Sequence, residues 1–340
     1  MTAAPIDIQH AARLLEGGGL VALPTETVYG LGADAENPDA VAQIFAVKER
    51  PTNHPLIVHL APEADLSQWA SEIPDEAKKL VAAFWPGPLT LILKRAPHVP
   101  AAVAGGQGTV GLRCPLHPVA QALLREFKNG KGGIAAPSAN RFGHVSPTTA
   151  QHVRDEFGND ARIGAILDGG QSEVGIESTI LDLSRIATHG PVLLRPGRIG
   201  ADDIERVIGA KPAAPDAAAP RASGTLESHY APTTPVLLVL TAEIRPILRK
   251  LVRGRRLAAV MRLSPLPMPD ALMQIAMPGN PESYAHELYA SLRALDEVRA
   301  DIILIEEPPA APGWEAINDR LRRAAHDTQS GMGKYLLSRL

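Results

Sequence analysis

Lys48-x-Arg50 and, far down the chain, Ser138-x-Asn140 are the residue types that grip phosphate oxygens. An ammonium and a planar guanidinium hold phosphate by charge, and a hydroxyl and an amide hold it by hydrogen bonds. No Walker loop is present to do this in the usual way. Each pair also has a plain structural explanation. Cations favour helix C-termini, and Ser-x-Asn is common at turns and caps.

Arg113 is harder to dismiss. It ends the apolar run Val110-Gly111-Leu112, and an arginine there needs an acidic partner, from the protein or from a ligand. Arg195-Pro196-Gly197 also sets a guanidinium at a strand end. Thr25 to Gly32 follows the first apolar run and suits either a substrate-lining loop or a plain turn. His59 lies inside an apolar strand, where a histidine is more often a core residue than a ligand contact. Gly106-x-Gly108-x-x-Gly111 matches a dinucleotide fingerprint by letters only, because its glycines lead into a strand-like run. Thr109 within it still offers a hydroxyl. Ser138-Ala139-Asn140 lacks the Ser-x-x-Lys and Lys-Thr-Gly elements of serine acyl enzymes. No His, Cys and carboxylate cluster has zinc spacing.

The elements that must place these groups alternate. Asp7 to Glu16 has helical spacing and stops at Gly17. Asn37-Pro38 caps a helix running to Lys48, and Ser146-Pro147 repeats that signal before a helix ending near Phe157. Short apolar runs at 20–23, 56–60, 89–93, 109–113, 134–136, 163–167, 178–183 and 192–195 read as strands. The expected result is a mixed α/β domain over residues 1–210. Residues 211–232 read as an Ala/Pro-rich linker, ending in His229-Tyr230-Ala231-Pro232. Residues 233–340 repeat the βα alternation, and a small, mostly parallel sheet is expected there.

The bulk composition is ordinary: 45% apolar, 21% charged, net charge −3 over 340 residues. Neither half is strongly basic, which argues against non-specific nucleic-acid binding. The lone Cys114 excludes an intramolecular disulfide. No apolar run is long enough to span a bilayer, and Met1 to His10 shows no secretory pattern, so a cytoplasmic location is expected.

The order of motifs is more specific than any one of them. Pro24 to Gly32, Lys48-x-Arg50-Pro51, Pro55 to His59, Trp85 to Thr90, Gly111-Leu112-Arg113, Pro137 to Asn140, Ser178-Thr179-Ile180 and Arg195-Pro196-Gly197 closely resemble the YrdC-like family. The linker motif and second domain resemble its long, two-domain form. The resemblance implies a twisted, open mixed sheet with helices, plus a smaller Rossmann-like domain. It implies synthesis of L-threonylcarbamoyl-AMP from L-threonine, bicarbonate and ATP, with Mg2+ carried by ATP and pyrophosphate released. A downstream transferase would pass the group to tRNA, next to the anticodon. By the resemblance, Lys48 and Arg50 are catalytic. With His54, Thr109, Ser138, Asn140, Ser146, Arg195 and Tyr230 they bind ATP. Thr27, His59, Arg113, Ala136 and Ser178 line the threonine pocket, and Tyr230 closes over the nucleotide. The family usually has asparagine at the position of His54, and often a basic residue at that of Ser228. Two rival readings are an RNA-binding relative without synthase activity and a carbamoyl transferase using carbamoyl phosphate. The low basicity opposes the first, and the linker with its second domain opposes the second.

Overall fold

The computed structural model describes residues 7–265 and 267–328. Most of the N-terminal stretch read for a secretory pattern lies outside them. The described residues form two compact units. One comprises the described residues up to Phe142 with Pro147–Thr225, the other Gly143–Ser146 with the described residues from Leu226 onward.

In the first unit the strands are β1 (Leu20–Leu23), β2 (Gly30–Asp34), β3 (Ile57–His59), β4 (Ala70–Glu72), β5 (Leu89–Arg95), β6 (Thr109–Arg113), β7 (Ile134–Ala135), β8 (Ile163–Ile166), β9 (Thr179–Asp182) and β10 (Val192–Arg195). They form one open mixed sheet in the order β10-β9-β5-β6-β3-β7-β2-β1-β8, with β4 on the side of β5. The helices are α1 (Ile8–Glu16), α2 (Pro38–Lys48), α3 (Asp75–Phe84), α4 (Pro118–Glu126), α5 (Ala150–Phe157), α6 (Ile186–His189) and α7 (Ala201–Ile208).

The unbroken apolar run of β1 has a simple cause. Successive strand side chains point to opposite faces. Leu20 and Ala22 enter one core with α2, while Val21 and Leu23 enter another with α1 and α4. Both faces of β1 are covered, so alternation with polar residues is absent.

Three sequence expectations change. Gly30 to Gly32 is strand, not loop. A Cβ at Gly32 would lie 2.8 Å from Ile134 Cγ2 and 2.9 Å from Leu23 Cδ2, so close packing within the sheet explains this glycine. Ser146-Pro147 does not cap a helix. The cap of α5 is Thr149, whose side chain accepts from His152 N, while Pro147 O accepts from Tyr29 N. The stretch read as a linker is packed on the first unit as far as Thr225: Leu193 N donates to Ala213 O at 2.9 Å. Ala222 sits among Ile57, Ile92, Ile180, Val192 and Leu194.

The second unit holds β11 (Val236–Val239), α8 (Thr241–Arg253), β12 (Ala258–Arg262), β13 (Met273–Ala276), α9 (Pro281–Glu297), β14 (Ile302–Glu306) and α10 (Glu315–Asp327). Its sheet is wholly parallel, in the order β11-β14-β12-β13. Leu237, Val239, Ile244, Leu248, Val260 and Leu304 build its core.

Candidate active site

The last turn of α2 carries Lys48, and Arg50 follows its left-handed C-cap Glu49. Lys48 is only 1% exposed. Its ammonium donates to the main-chain oxygens of Ser138, at 2.5 Å, and Asn140. Phe142 N returns a bond to Lys48 O at 2.9 Å. The two motifs picked from the sequence therefore meet directly: α2 ends where the chain leaves β7. These two bonds use two of the ammonium's three donors. Burial first, then the Arg50 charge, holds the Lys48 pKa well below its ordinary 10.5, with Glu156 opposing.

Arg50 Nη2 donates to Pro55 O at 3.0 Å and Ser223 Oγ at 3.3 Å, and its guanidinium lies 5.6 Å from the Phe142 ring centroid. Arg195, at the end of β10, donates through Nε and Nη2 to Ser178 O and through Nη1 to Ser223 O at 2.9 Å. Ser223 thus joins two buried guanidiniums from distant parts of the chain. Ser138 is half-buried and Asn140 buried, its Nδ2 donating to Arg141 O at 2.7 Å. His54 lies edge-on to Phe142 at 5.2 Å. Burial first, then Arg50 and Arg221, lowers its pKa from 6.5, which makes it a neutral hydrogen-bonding group at neutral pH. Thr109 opens β6 and lines a recess with Ile57, Ile180, Ala222 and Ser223.

A second cluster surrounds Arg113. The register places His59 of β3 beside Arg113 of β6. Arg113 Nη2 reaches Glu26 Oε1 at 2.6 Å, both side chains being almost fully buried at 4% and 3% exposure. Its Nε donates to Gly87 O at 3.3 Å, and Glu26 Oε2 accepts from Leu116 N at 3.0 Å. Nη1 of Arg113 makes no hydrogen bond among the described residues. Burial first, then Arg113, pushes the His59 pKa down to about 3, so the ring is neutral. Thr27 is buried, its hydroxyl 2.8 Å from that of Thr25. Ala136 N donates to Ile57 O at 3.0 Å, and Ser178 Oγ is 2.8 Å from Thr90 Oγ1.

Ser146 and Tyr230 belong to the second unit. There the Tyr230 backbone is left-handed, with φ 62°, and its buried ring stacks on Tyr289 at 5.7 Å. His229 lies edge-on at 4.1 Å, and Arg320 sits 5.4 Å from the ring centroid.

Sequence reasoning left Glu26, Thr90, Phe142 and Ser223 without roles. Glu26 had a signal: Arg113 required an acid, and Glu26 sits in the loop after β1. Ser223 had none, since the segment around it shows no periodicity. Gly106 and Gly108 precede β6 and Gly111 lies inside it, so no helix follows the glycine-rich turn.

Buried cations thus sit at the ends of α2, β6 and β10 in an open mixed α/β domain. The chain belongs to the Sua5/YciO/YrdC family, described as telomere recombination, which matches residues 13–197, and the threonylcarbamoyl-AMP synthase C-terminal domain matches residues 199–326. It is 38% identical to a threonylcarbamoyl-AMP synthase of Pyrococcus abyssi, over 94% of each chain. It is 40% identical to that of Bacillus subtilis, over 94% of this chain and 92% of the other. The crystal structure of P. abyssi Sua5 complexed with L-threonine aligns with a TM-score of 0.85 at 37% identity, covering 94% of both chains.

Proposed function

We propose that this chain makes L-threonylcarbamoyl-AMP from L-threonine, bicarbonate and ATP, releasing pyrophosphate. The product supplies a separate transferase that modifies tRNA next to the anticodon. The observation that carries the reading is the direct bond from Lys48 to the Ser138-x-Asn140 segment, beside two arginines joined through Ser223.

The chemistry follows from charge. L-threonine gives up its ammonium proton, and the free amine attacks the carbon of CO2 with loss of a second proton, or that of bicarbonate with loss of water, giving a carbamate. A carbamate oxygen then attacks the α-phosphorus of ATP. The bond from that phosphorus to the bridging oxygen breaks, and its electron pair leaves with pyrophosphate. Negative charge grows on the phosphate chain, where Lys48, Arg50 and Arg195 offset it. Thr109, Ser138, Asn140 and the neutral His54 supply hydrogen bonds that orient the nucleotide. Thr27, His59, Arg113, Ala136 and Ser178 hold L-threonine, with Arg113 Nη1 donating to its carboxylate. No three His, Cys, Asp or Glu side chains among the described residues are grouped to hold a metal ion. In this reading Mg2+ arrives on the phosphates of ATP. No helix among the described residues is long and apolar enough to cross a membrane.

The test is pyrophosphate release that requires both L-threonine and bicarbonate, with the mass of threonylcarbamoyl-AMP in the product. Release that ignores L-threonine would remove the proposal.

A further inference from the structure

The buried Arg113–Glu26 pair has a consequence for what the pocket selects. Glu26 is locked in place: one carboxylate oxygen faces Arg113 Nη2, the other accepts from Leu116 N, and its main-chain oxygen accepts from Val174 N at 2.7 Å. Arg113 is locked along Nε and Nη2, so Nη1 is the donor left for a ligand. A guanidinium that meets a ligand carboxylate while already paired with a buried carboxylate presents little net charge. The nearest titratable neighbours do not restore it. His59 is neutral, and the Cys114 thiol is pushed up to about 12, chiefly by burial and then by Glu26. Arg195 lies close through Ser178, but its guanidinium is turned onto the oxygens of Ser178 and Ser223.

We infer that Glu26 is a specificity-determining residue: it sets the charge of the amino-acid pocket to near zero, so that the pocket takes a zwitterion and rejects a simple anion. An amino acid brings an ammonium with its carboxylate and is neutral overall. A 2-hydroxy acid of the same shape brings a bare negative charge, which the Glu26 carboxylate repels through a poorly screened interior. This inference rests on L-threonine being the ligand of this pocket.

The experiment titrates the full chain with L-threonine and with (2S,3R)-2,3-dihydroxybutyrate, the same skeleton with a hydroxyl in place of the ammonium. Wild-type protein is expected to prefer L-threonine by about tenfold or more. Glu26→Gln is expected to shrink that preference roughly tenfold or more, mainly by tighter binding of the anion. Glu26→Asp, which keeps the charge, is expected to retain the preference. Circular dichroism shows whether Glu26→Gln has folded. If it has not, the wild-type ratio alone decides. A folded Glu26→Gln with the wild-type ratio overturns the inference, as does a wild type that binds both ligands equally. A wild type that binds no L-threonine removes the proposed function, and the inference with it.

Discussion

Replacing Lys48 by methionine should separate activity from stability at one residue. The Lys48 ammonium donates to Ser138 O and Asn140 O. Hydrogen bonds to charged groups contribute about 1.5–3 kcal/mol each, so losing both costs about 3–6 kcal/mol. The same change removes a buried charge, whose desolvation opposes folding by several kcal/mol. The terms are of similar size, and methionine fills much of the same space. Stability near neutral pH should therefore stay within about 2 kcal/mol of wild type. Pyrophosphate release should fall about a hundredfold or more, the usual result of removing one preorganised donor from developing charge. The sign of the pH effect gives an independent check. Burial and Arg50 depress the folded-state pKa of Lys48 below 10.5. Between the two pKa values the unfolded chain binds more protons, so stability rises with pH there. The penalty is fully present below the depressed pKa and gone above 10.5. Each unit of depression is about 1.36 kcal/mol. Urea midpoints of wild type and variant, compared from about pH 7 to about pH 10, cancel the other titrating groups. If wild type gains nothing on the variant across that range, the buried-ammonium argument is wrong. If the variant keeps more than about a tenth of the activity, the phosphate grip is wrong.

Three further outcomes are expected. The His59 pKa near 3 means that the unfolded chain takes up a proton first, so stability is lost as pH falls from about 6.5 toward 3. Acid titration of His59→Gln should lack this limb, worth roughly 5 kcal/mol at its acid end, and an unchanged limb refutes the assignment. A Cβ at Gly197 would lie 2.4 Å from Thr179 N and 2.7 Å from its Oγ1. Gly197→Ala should thus cost about 1–3 kcal/mol, and an unmoved urea midpoint would contradict the packing. In the second unit, Glu306 accepts from Thr241 Oγ1, Leu263 N and Ser264 N. Burial alone would raise its pKa, but these bonds outweigh it and the net shift is downward from 4.5. Its contribution is present above that value and lost as pH falls through the lower folded pKa. Glu306→Gln should speed hydrogen exchange at the Leu263 and Ser264 amides by about tenfold, and unchanged rates would place those bonds elsewhere.

Residues with a local signature were legible in the sequence. Asn37-Pro38 announced α2 because a cap and a first-turn proline act within one turn. The strand at Ile57–His59 showed as an apolar run because both of its faces are covered. What was not legible depends on distant partners. Gly30 and Gly32 look like turn residues until the antiparallel neighbours β1 and β7 are known to press on them. Ser146-Pro147 has the letters of a cap, but the cap lies at Thr149. Ser223 has no local mark, since what singles it out is the meeting of Arg50 and Arg195.

Under the proposed function the site handles its cations in two ways, and the contrast would fit the two substrates. Lys48 is held by carbonyl oxygens. A carbonyl dipole orients an ammonium and leaves its charge in place, as a highly charged phosphate chain requires. Arg113 is held by a carboxylate. A carboxylate orients a guanidinium and cancels its charge, as a ligand that is neutral overall requires. Exchanging the two arrangements would defeat both tasks. A carboxylate against Lys48 would repel the phosphates, and an uncompensated Arg113 would attract any small anion. The dependence of ATP binding on salt should therefore be steep and that of L-threonine binding shallow, because screening acts on net charge. Equal salt slopes for the two ligands would show that the cations at the two positions are not differently compensated.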